Sequence, residues 1–346
     1  LIMAYTTINK SSDYFNTKMY DGNGGTNALT GVGFQPDWTW IKNRDATDWH
    51  FLTDAVRGVT KTIHSNTNNA EGTQATALTA FGSDGFTVGS DGSVNRNNQS
   101  FVAWNWKANG QGSSNTDGSI NTTYTSVNTT AGFSISSYTG TGSNATVGHG
   151  LGVAPKMVII KKTSGSDDWK VYHASVGATK SLVLQGTNAE TSDSTSFNNT
   201  APTTSVFSVG TSSATNTSGQ TYIAYCFAEK TGYSKCNSYT GNGNANGAFV
   251  YTGFKPAFVM VKKTSGTGNW YINDTKRDPS NRATHSLFPN LSDAESATGW
   301  FVDYVSNGFK IRDTGSEVNA SDSTYIYMAF AEAPLVGSNN VPCTAR

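Results

Sequence analysis

The sequence predicts an all-β protein of three tandem antiparallel β-sandwich domains, jelly-roll-like in character. Three observations predict it. A glycine-led turn with a proline, followed by an apolar run that ends in lysine, occurs at residues 33–42, 152–161 and 253–262. The landmarks around it keep their distances: Tyr20 to Pro36 is 16 residues, Tyr138 to Pro155 and Tyr239 to Pro256 are 17. The intervening segments are short runs of aromatic and β-branched residues bounded by Gly, Asn, Asp and Ser, which read as strands. A self-match at fixed period defines the structural unit and outranks any single-residue signal.

Each unit opens with a strand ending in Tyr20, Tyr138 or Tyr239, followed by a Gly-rich turn in which glycine supplies positive φ. The Pro-led strand comes next. Proline at a strand entry removes a ladder donor only where its loss is tolerated, so Pro36, Pro155 and Pro256 are repeat-defining structural residues. Trp49, Trp169 and Trp270 follow the prolines by 13, 14 and 14 residues. Asn95, Asn216 and Asn319 each precede the next aromatic (Phe101, Tyr222, Tyr325) by 6. The closing strand, 101–106, 222–227 and 325–330, is apolar on both parities and should be covered on both faces. It ends in Trp106, Phe227 and Phe330, the other repeat-defining positions. Residues 73–80 and 293–298 are expected to be short helices or irregular loops.

These landmarks divide the chain into an N-terminal arm (1–11), unit 1 (12–110), a Gly/Ser/Thr/Asn-rich linker (111–130), unit 2 (131–230), unit 3 (231–334) and a C-terminal arm (335–346). A unit of this size can bury its own core. The linker reads as an extended tether or an added edge strand. Lys230-Thr231-Gly232 leaves almost no slack, so units 2 and 3 should hold a fixed orientation. Met3 is the natural start candidate, Leu1-Ile2 reading as an upstream remnant.

Lys+Arg and Asp+Glu are both 24 in 346 residues, and charged residues make up 14%, against roughly 25% in ordinary domains. Zero net charge argues against nucleic acid or an anionic membrane as partner. Aromatics at 12% argue against disorder. There is no run of apolar residues long enough for a spanning helix, so no membrane insertion is expected, and no secretory leader is visible. Cys226, Cys236 and Cys343 form no disulfide framework. Cys226 and Cys236 would face each other only if their strands formed a hairpin. No zinc spacing exists, so no metal or cofactor is expected.

The candidate ligand-binding residues are Trp49, Trp169 and Trp270, which recur at one place in the unit and could stack sugars. Their competing role is architectural, each covering a core edge with its indole N–H satisfied locally. Asp54-x-x-Arg57 matches Asp274-x-x-Arg277, whereas unit 2 has His173-Ala174-Ser175-Val176. This is a ligand clamp or, more simply, a surface turn ion pair of little energetic weight. Lys42, Lys161-Lys162 and Lys262-Lys263 could line a basic ridge or, more simply, solvate the strand ends and discourage edge pairing. Asp84-Gly85 and Asp91-Gly92 read as turns rather than calcium sites. The five histidines and six glutamates show no triad, metal or paired-carboxylate pattern, so no enzyme is expected.

Met3–Ile8, residues 31–37, 79–86 and 101–110, and the 342–346 end resemble, over essentially the whole chain, a family of repeat-bearing structural proteins of marine bacteriophages of the cyanophage and pelagiphage type, labelled as tail-fibre or virion proteins. The resemblance implies a non-enzymatic virion component on the particle exterior, a tail fibre or a capsid fibre or decoration. It would be assembled in the host cytoplasm and exposed extracellularly. Its partners would be other virion proteins, further copies of itself (a homotrimer), and host-surface polysaccharide. The alternative is a stand-alone lectin-like β-sandwich protein.

Overall fold

A computed structural model of the chain describes residues 5–298, 300–337 and 342–344. Met3 and parts of both arms lie outside that range. Among the described residues the regular structure is almost all antiparallel strand. The exceptions are a 3-10 turn at Ser11–Asp13 and helical turns at Gly92–Asn95, Ser213–Asn216 and Ser316–Asn319.

Each unit builds one main sheet in the same order. The opening strand (Phe15–Asp21, Phe133–Thr139, Ser234–Thr240) pairs with the closing strand (Ser100–Trp106, Thr221–Phe227, Thr324–Pro334). The closing strand pairs with the Pro-led strand (Trp38–Asn43, Met157–Lys162, Phe254–Lys263). That strand turns back into its hairpin partner (Phe51–Asp54, Lys170–His173, Trp270–Asp274). The register is identical in all three: Trp38 faces Trp106, Met157 faces Phe227, Phe258 faces Phe330. A smaller sheet covers the outer face. It pairs Asn27–Thr30 with Gly85–Val88 in unit 1, Ala145–Gly148 with Val206–Val209 in unit 2, and Phe249–Tyr251 with Gly308–Ile311 in unit 3.

The closing strand is buried on both faces because two different cores need it. In unit 1, Phe101 and Ala103 point outward to Leu29, Phe86 and Val88. Val102, Trp104 and Trp106 point the other way, into a cluster shared with Met157, Ile223, Tyr225, Phe227, Phe258, Met328 and Phe330 of the other units. Units 2 and 3 have outer cores of their own. The tandem expectation therefore needs correction in one respect. The units are not strung in line with separate cores; they ring a fourth, common core. Trp106, Phe227 and Phe330 meet at its centre, with centroid separations of 6.5, 5.7 and 6.1 Å.

Other recurrent residues set local geometry. The Asn95 amide donates to Asn23 Oδ1 and to the carbonyls of Gly25 and Gly89, and its Oδ1 accepts from Asn23 N. Asn216 and Asn319 repeat this around their own Gly-rich turns. A buried amide that satisfies several loop carbonyls ties turn to helical turn where no strand ladder reaches. Asp84 accepts from Gly31 N and Gly33 N, and both glycines have positive φ. These bonds hold its carboxyl below the usual range. Asp91 caps the helical turn through Ser93 N. Both Asp-Gly aspartates thus serve backbone. Pro36 and Pro155 precede their strands, whereas Pro256 lies inside a longer one, at a register shift that accommodates its missing donor.

The linker is the edge strand rather than the tether: Tyr124–Asn128 pairs with Phe133–Ser137 of the unit 2 opening strand. The N-terminal arm folds back on unit 3, Thr6 Oγ1 donating to Thr231 O, and Ile8 enters the common core. Of residues 73–80, 74–77 are an irregular loop, as one alternative had it, and Leu78–Gly82 is a strand beside Gly85–Val88. The three cysteines are free thiols, Cys226 lying in the outer core of unit 2 and Cys236 in the common core.

Because the common core belongs to all three units, we expect one cooperative unfolding transition by calorimetry rather than three. Trp106→Ala should cost about 3–5 kcal/mol in denaturant unfolding. Separate transitions, or a loss below ~1 kcal/mol, would contradict the shared core.

Candidate functional site

Where the units meet, each seam repeats the same contacts in cyclic order. The backbone N–H of Glu71 donates to Thr163 O of unit 2, that of Glu190 to Thr264 O of unit 3, and that of Glu295 to Arg44 O of unit 1, at 2.9, 3.0 and 2.8 Å. In the other strand of each seam, Asp167 N bonds Asn68 O, Gly268 N bonds Thr187 O and Asp48 N bonds Ser292 O. A head-to-tail contact that closes after three steps is a ring with approximate threefold symmetry.

Two of the three tryptophans belong to this ring. Trp169 Nε1 donates to His64 O and Thr67 O of unit 1, and Trp270 Nε1 donates to Val183 O of unit 2. Both rings are buried, so neither offers a face to a sugar, and the stacking role assigned to them is corrected to a structural one. Trp49 is not their counterpart. The spacing of 13 rather than 14 was the clue: one residue further along the chain is His50, which stands opposite the Lys42 end of its hairpin as Trp270 stands opposite Lys262. A one-residue offset reverses the face of a strand. Trp49 is accordingly 46% exposed, resting on the His64 ring at 4.9 Å. His50 does the work of the indole. Its Nδ1 accepts from Trp40 Nε1 at 2.8 Å, which leaves Nε2 as donor to Phe288 O of unit 3 at 2.9 Å. Trp40 supplies the volume that His50 lacks; units 2 and 3 have Ile159 and Met260 there.

The Asp-x-x-Arg pairs are also seam elements, and they are buried rather than superficial. Arg57 Nε bonds Asp54 Oδ2, and Arg277 Nε bonds Asp274 Oδ2, each at 2.5 Å, with side-chain exposures of 5% or less. The neighbouring closing strand completes each carboxylate: Tyr225 Oη donates to Asp54 at 2.7 Å, and Trp104 Nε1 donates to Asp274 at 3.0 Å. The equivalent of Trp104 and Tyr225 in unit 3 is Met328, which has no strong donor. The residue facing that seam is His173, whose Nε2 bonds Tyr327 O instead. The departure of unit 2 from the Asp-x-x-Arg pattern is thus matched by its partner, since a buried carboxylate without its donor would be costly.

Lys42, Lys161 and Lys262 are buried, not solvated. Lys161 Nζ donates to Lys162 O and Asp167 O and across the seam to Asn68 O; Lys262 Nζ donates to Lys263 O and to Thr187 O of unit 2; Lys42 Nζ donates to Asn43 O and Ala46 O. Burial pulls each ammonium down to a pKa of about 8.

Outside the seams, unit 3 differs from its siblings at the edge of its small sheet. Val250, Leu29 and Val147 are equivalent inward positions, facing Phe309, Phe86 and Phe207. The residues flanking Val250 are Phe249 and Tyr251, exposed by 50% and 49%. Unit 1 has Ala28 and Thr30 there; unit 2 has Thr146 and Gly148. Tyr251 borders a cavity of about 350 Å3 lined by Tyr5, Glu229, Lys230, Thr231, Ser234 and Lys235 among others. Sequence reasoning missed this pair; aligning the three copies at the Gly-rich turn would have shown it. Among the described residues no group of three His, Cys, Asp or Glu side chains is placed to hold a metal ion. No helix there is long and apolar enough to cross a membrane.

The seams predict a pH response. Burial and the Lys42 ammonium hold the His50 pKa well below its ordinary value, and burial lowers His173 to about 4. The unfolded chain takes up these protons near pH 6.5 and the folded chain does not, so stability falls as pH drops from about 6.5 toward 4. The lysines act in the other window. The unfolded chain keeps their protons up to about pH 10.5 and the folded chain to about 8, so their contribution rises with pH between those values. At constant ionic strength the melting midpoint should fall from pH 6.5 to 4.5 and be no lower at 9.5 than at 7.5. Tyr225→Phe, which strips Asp54 of a donor, should cost about 1.5–3 kcal/mol in urea unfolding; a change within ~0.5 kcal/mol would deny the seam bond its weight.

No curated protein matches the chain. Residues 10–334, all three units and the linker between units 1 and 2, match a domain of unknown function, DUF7483. The chain belongs to that family.

Proposed function

We propose that the protein is a non-enzymatic structural component of a bacteriophage virion, displayed on the particle exterior as part of a tail fibre or a capsid fibre or decoration. The observation that carries this reading is how the titratable side chains of the seams are used. Asp54, Asp274, Lys161, Lys262 and His50 are committed to hydrogen bonds across the seams, and Arg57, Arg277 and Lys42 to buried bonds beside them. This is the economy of a building block. The polar surface of low charge and the resemblance to phage structural proteins agree with external display.

The partners proposed are other virion proteins. In place of a trimer of separate chains we propose the single ring, because threefold closure is achieved within one chain. The finished ring is the proposed assembly unit, mounted singly on its virion partner.

The test is placement. Antibody raised against this chain should label intact particles, and the chain should appear in the mass spectrum of purified virions. Its absence from particles of a phage that expresses it would end the proposal. In solution, light scattering should give a mass near 36.7 kDa; a stable species of three times that mass would restore the trimer of separate chains.

A further inference from the structure

We infer that unit 3 carries a saccharide-binding site formed by Phe249 and Tyr251 with the adjoining cavity at the junction of units 2 and 3. The inference starts from the repeat. Three copies of one strand share an inward residue, and two of them carry small side chains on either side of it. In unit 2 the linker packs on that edge, Ile120 N donating to Thr146 O and Asn115 leaving no room for a Cβ at Gly148; in unit 1 the edge is open and Ala28 and Thr30 stand exposed, so folding does not need large side chains there. Unit 3 nevertheless places aromatic rings at both, half exposed to water. In a strand, residues two apart lie on one face about 6.6–6.8 Å from each other, so the rings form a short apolar platform.

The surroundings of Tyr251 distinguish a sugar from an apolar partner. Lys235 Nζ lies 5.3 Å from the centre of its ring. The cavity beside it, about 350 Å3, is walled by Tyr5, Glu229, Lys230, Thr231, Ser234 and Lys235, so it offers ammonium and hydroxyl donors together with carboxylate and hydroxyl acceptors. A mostly polar pocket beside an aromatic face suits a ligand that is apolar on its C–H face and hydroxylated at its rim. A greasy peptide would leave those polar groups desolvated and unpaired.

The wall is also held in place. Tyr5 Oη donates to Gly253 O at 2.6 Å, which pins the N-terminal arm against this edge. Gly253 has φ of +81°, and a Cβ there would meet the Tyr5 hydroxyl at 2.7 Å. Glu229 is oriented by Cys236 N, which donates to its Oε1. These contacts give the cavity a fixed shape before any ligand arrives, which lowers the ordering cost of binding.

The ligand class follows from this chemistry; only its source, a polysaccharide of the host surface, rests on the virion reading. The test is a printed array of bacterial surface polysaccharides and their oligosaccharides, probed with the full chain, followed by titration calorimetry on the best binder. Phe249→Ala and Tyr251→Ala should each weaken binding at least tenfold, while Trp49→Ala, an exposed aromatic elsewhere, should leave it within twofold. The melting curve of Phe249→Ala should match the parent, since that side chain is half exposed. Binding to nothing on the array, or binding that survives the Phe249→Ala/Tyr251→Ala double variant, overturns the site. Neither result bears on where the chain sits in a particle, which labelling of virions decides separately.

Discussion

Everything in this fold depends on the closing strand being wanted by two cores at once. Its outward side chains complete the core of its own unit, and its inward side chains complete the core common to all three. Apolar burial scales with the area removed from water. A strand covered on both faces contributes about twice what a half-exposed strand does, but only while its neighbours stay in place. Unit folding and ring closure are thereby one process. The contacts of Trp106, Phe227 and Phe330 at the centre are the clearest expression of this, because each aromatic comes from a different unit.

Around that core the seams show how a repeat can diverge without coming apart. Backbone contacts recur at every seam, since they depend on chain path and not on side-chain identity. Side-chain contacts are rewritten in pairs. His50 with Trp40 replaces Trp with a smaller aliphatic residue, and His173 faces Met328 where its siblings are an aspartate and a donor. What the rewritten seam pairs keep is a partner for each buried polar group, whereas in the common core Trp38 Nε1 and Trp106 Nε1 have none among the described residues. The buried lysines fit the same account, each ammonium meeting carbonyls that turns would otherwise leave bare.

Much of this was legible in the sequence, and the limits are physical. Short aromatic and β-branched runs between Gly and Asn clusters gave the strands, and the closing strand's lack of a polar parity gave its double coverage. The prolines and the recurrent Asn–aromatic spacing marked real structural positions. What the sequence did not reveal was where the inward face of each sheet would go, because alternation shows that a face is buried and not what buries it. The lysines mislead for the same reason: a strand-end lysine looks solvated until a neighbouring unit closes over it. An Asp-x-x-Arg pair looks superficial on the same assumption. Trp49 shows a finer failure. Its residue type matched Trp169 and Trp270, but its spacing was short by one, and in a strand position outranks identity. Phe249 and Tyr251 were hidden because exposed aromatics look like core residues until register is known.

The ring is one covalent chain, joined by the strand-forming linker at one junction and Lys230-Thr231-Gly232 at the next. Three free subunits of this kind would stand in equilibrium with their parts, and dilution would favour the parts. Tethered units meet at an effective concentration set by their linkers, commonly millimolar for short ones. The seams can therefore be individually weak, and individually different, without the assembly depending on how much protein surrounds it.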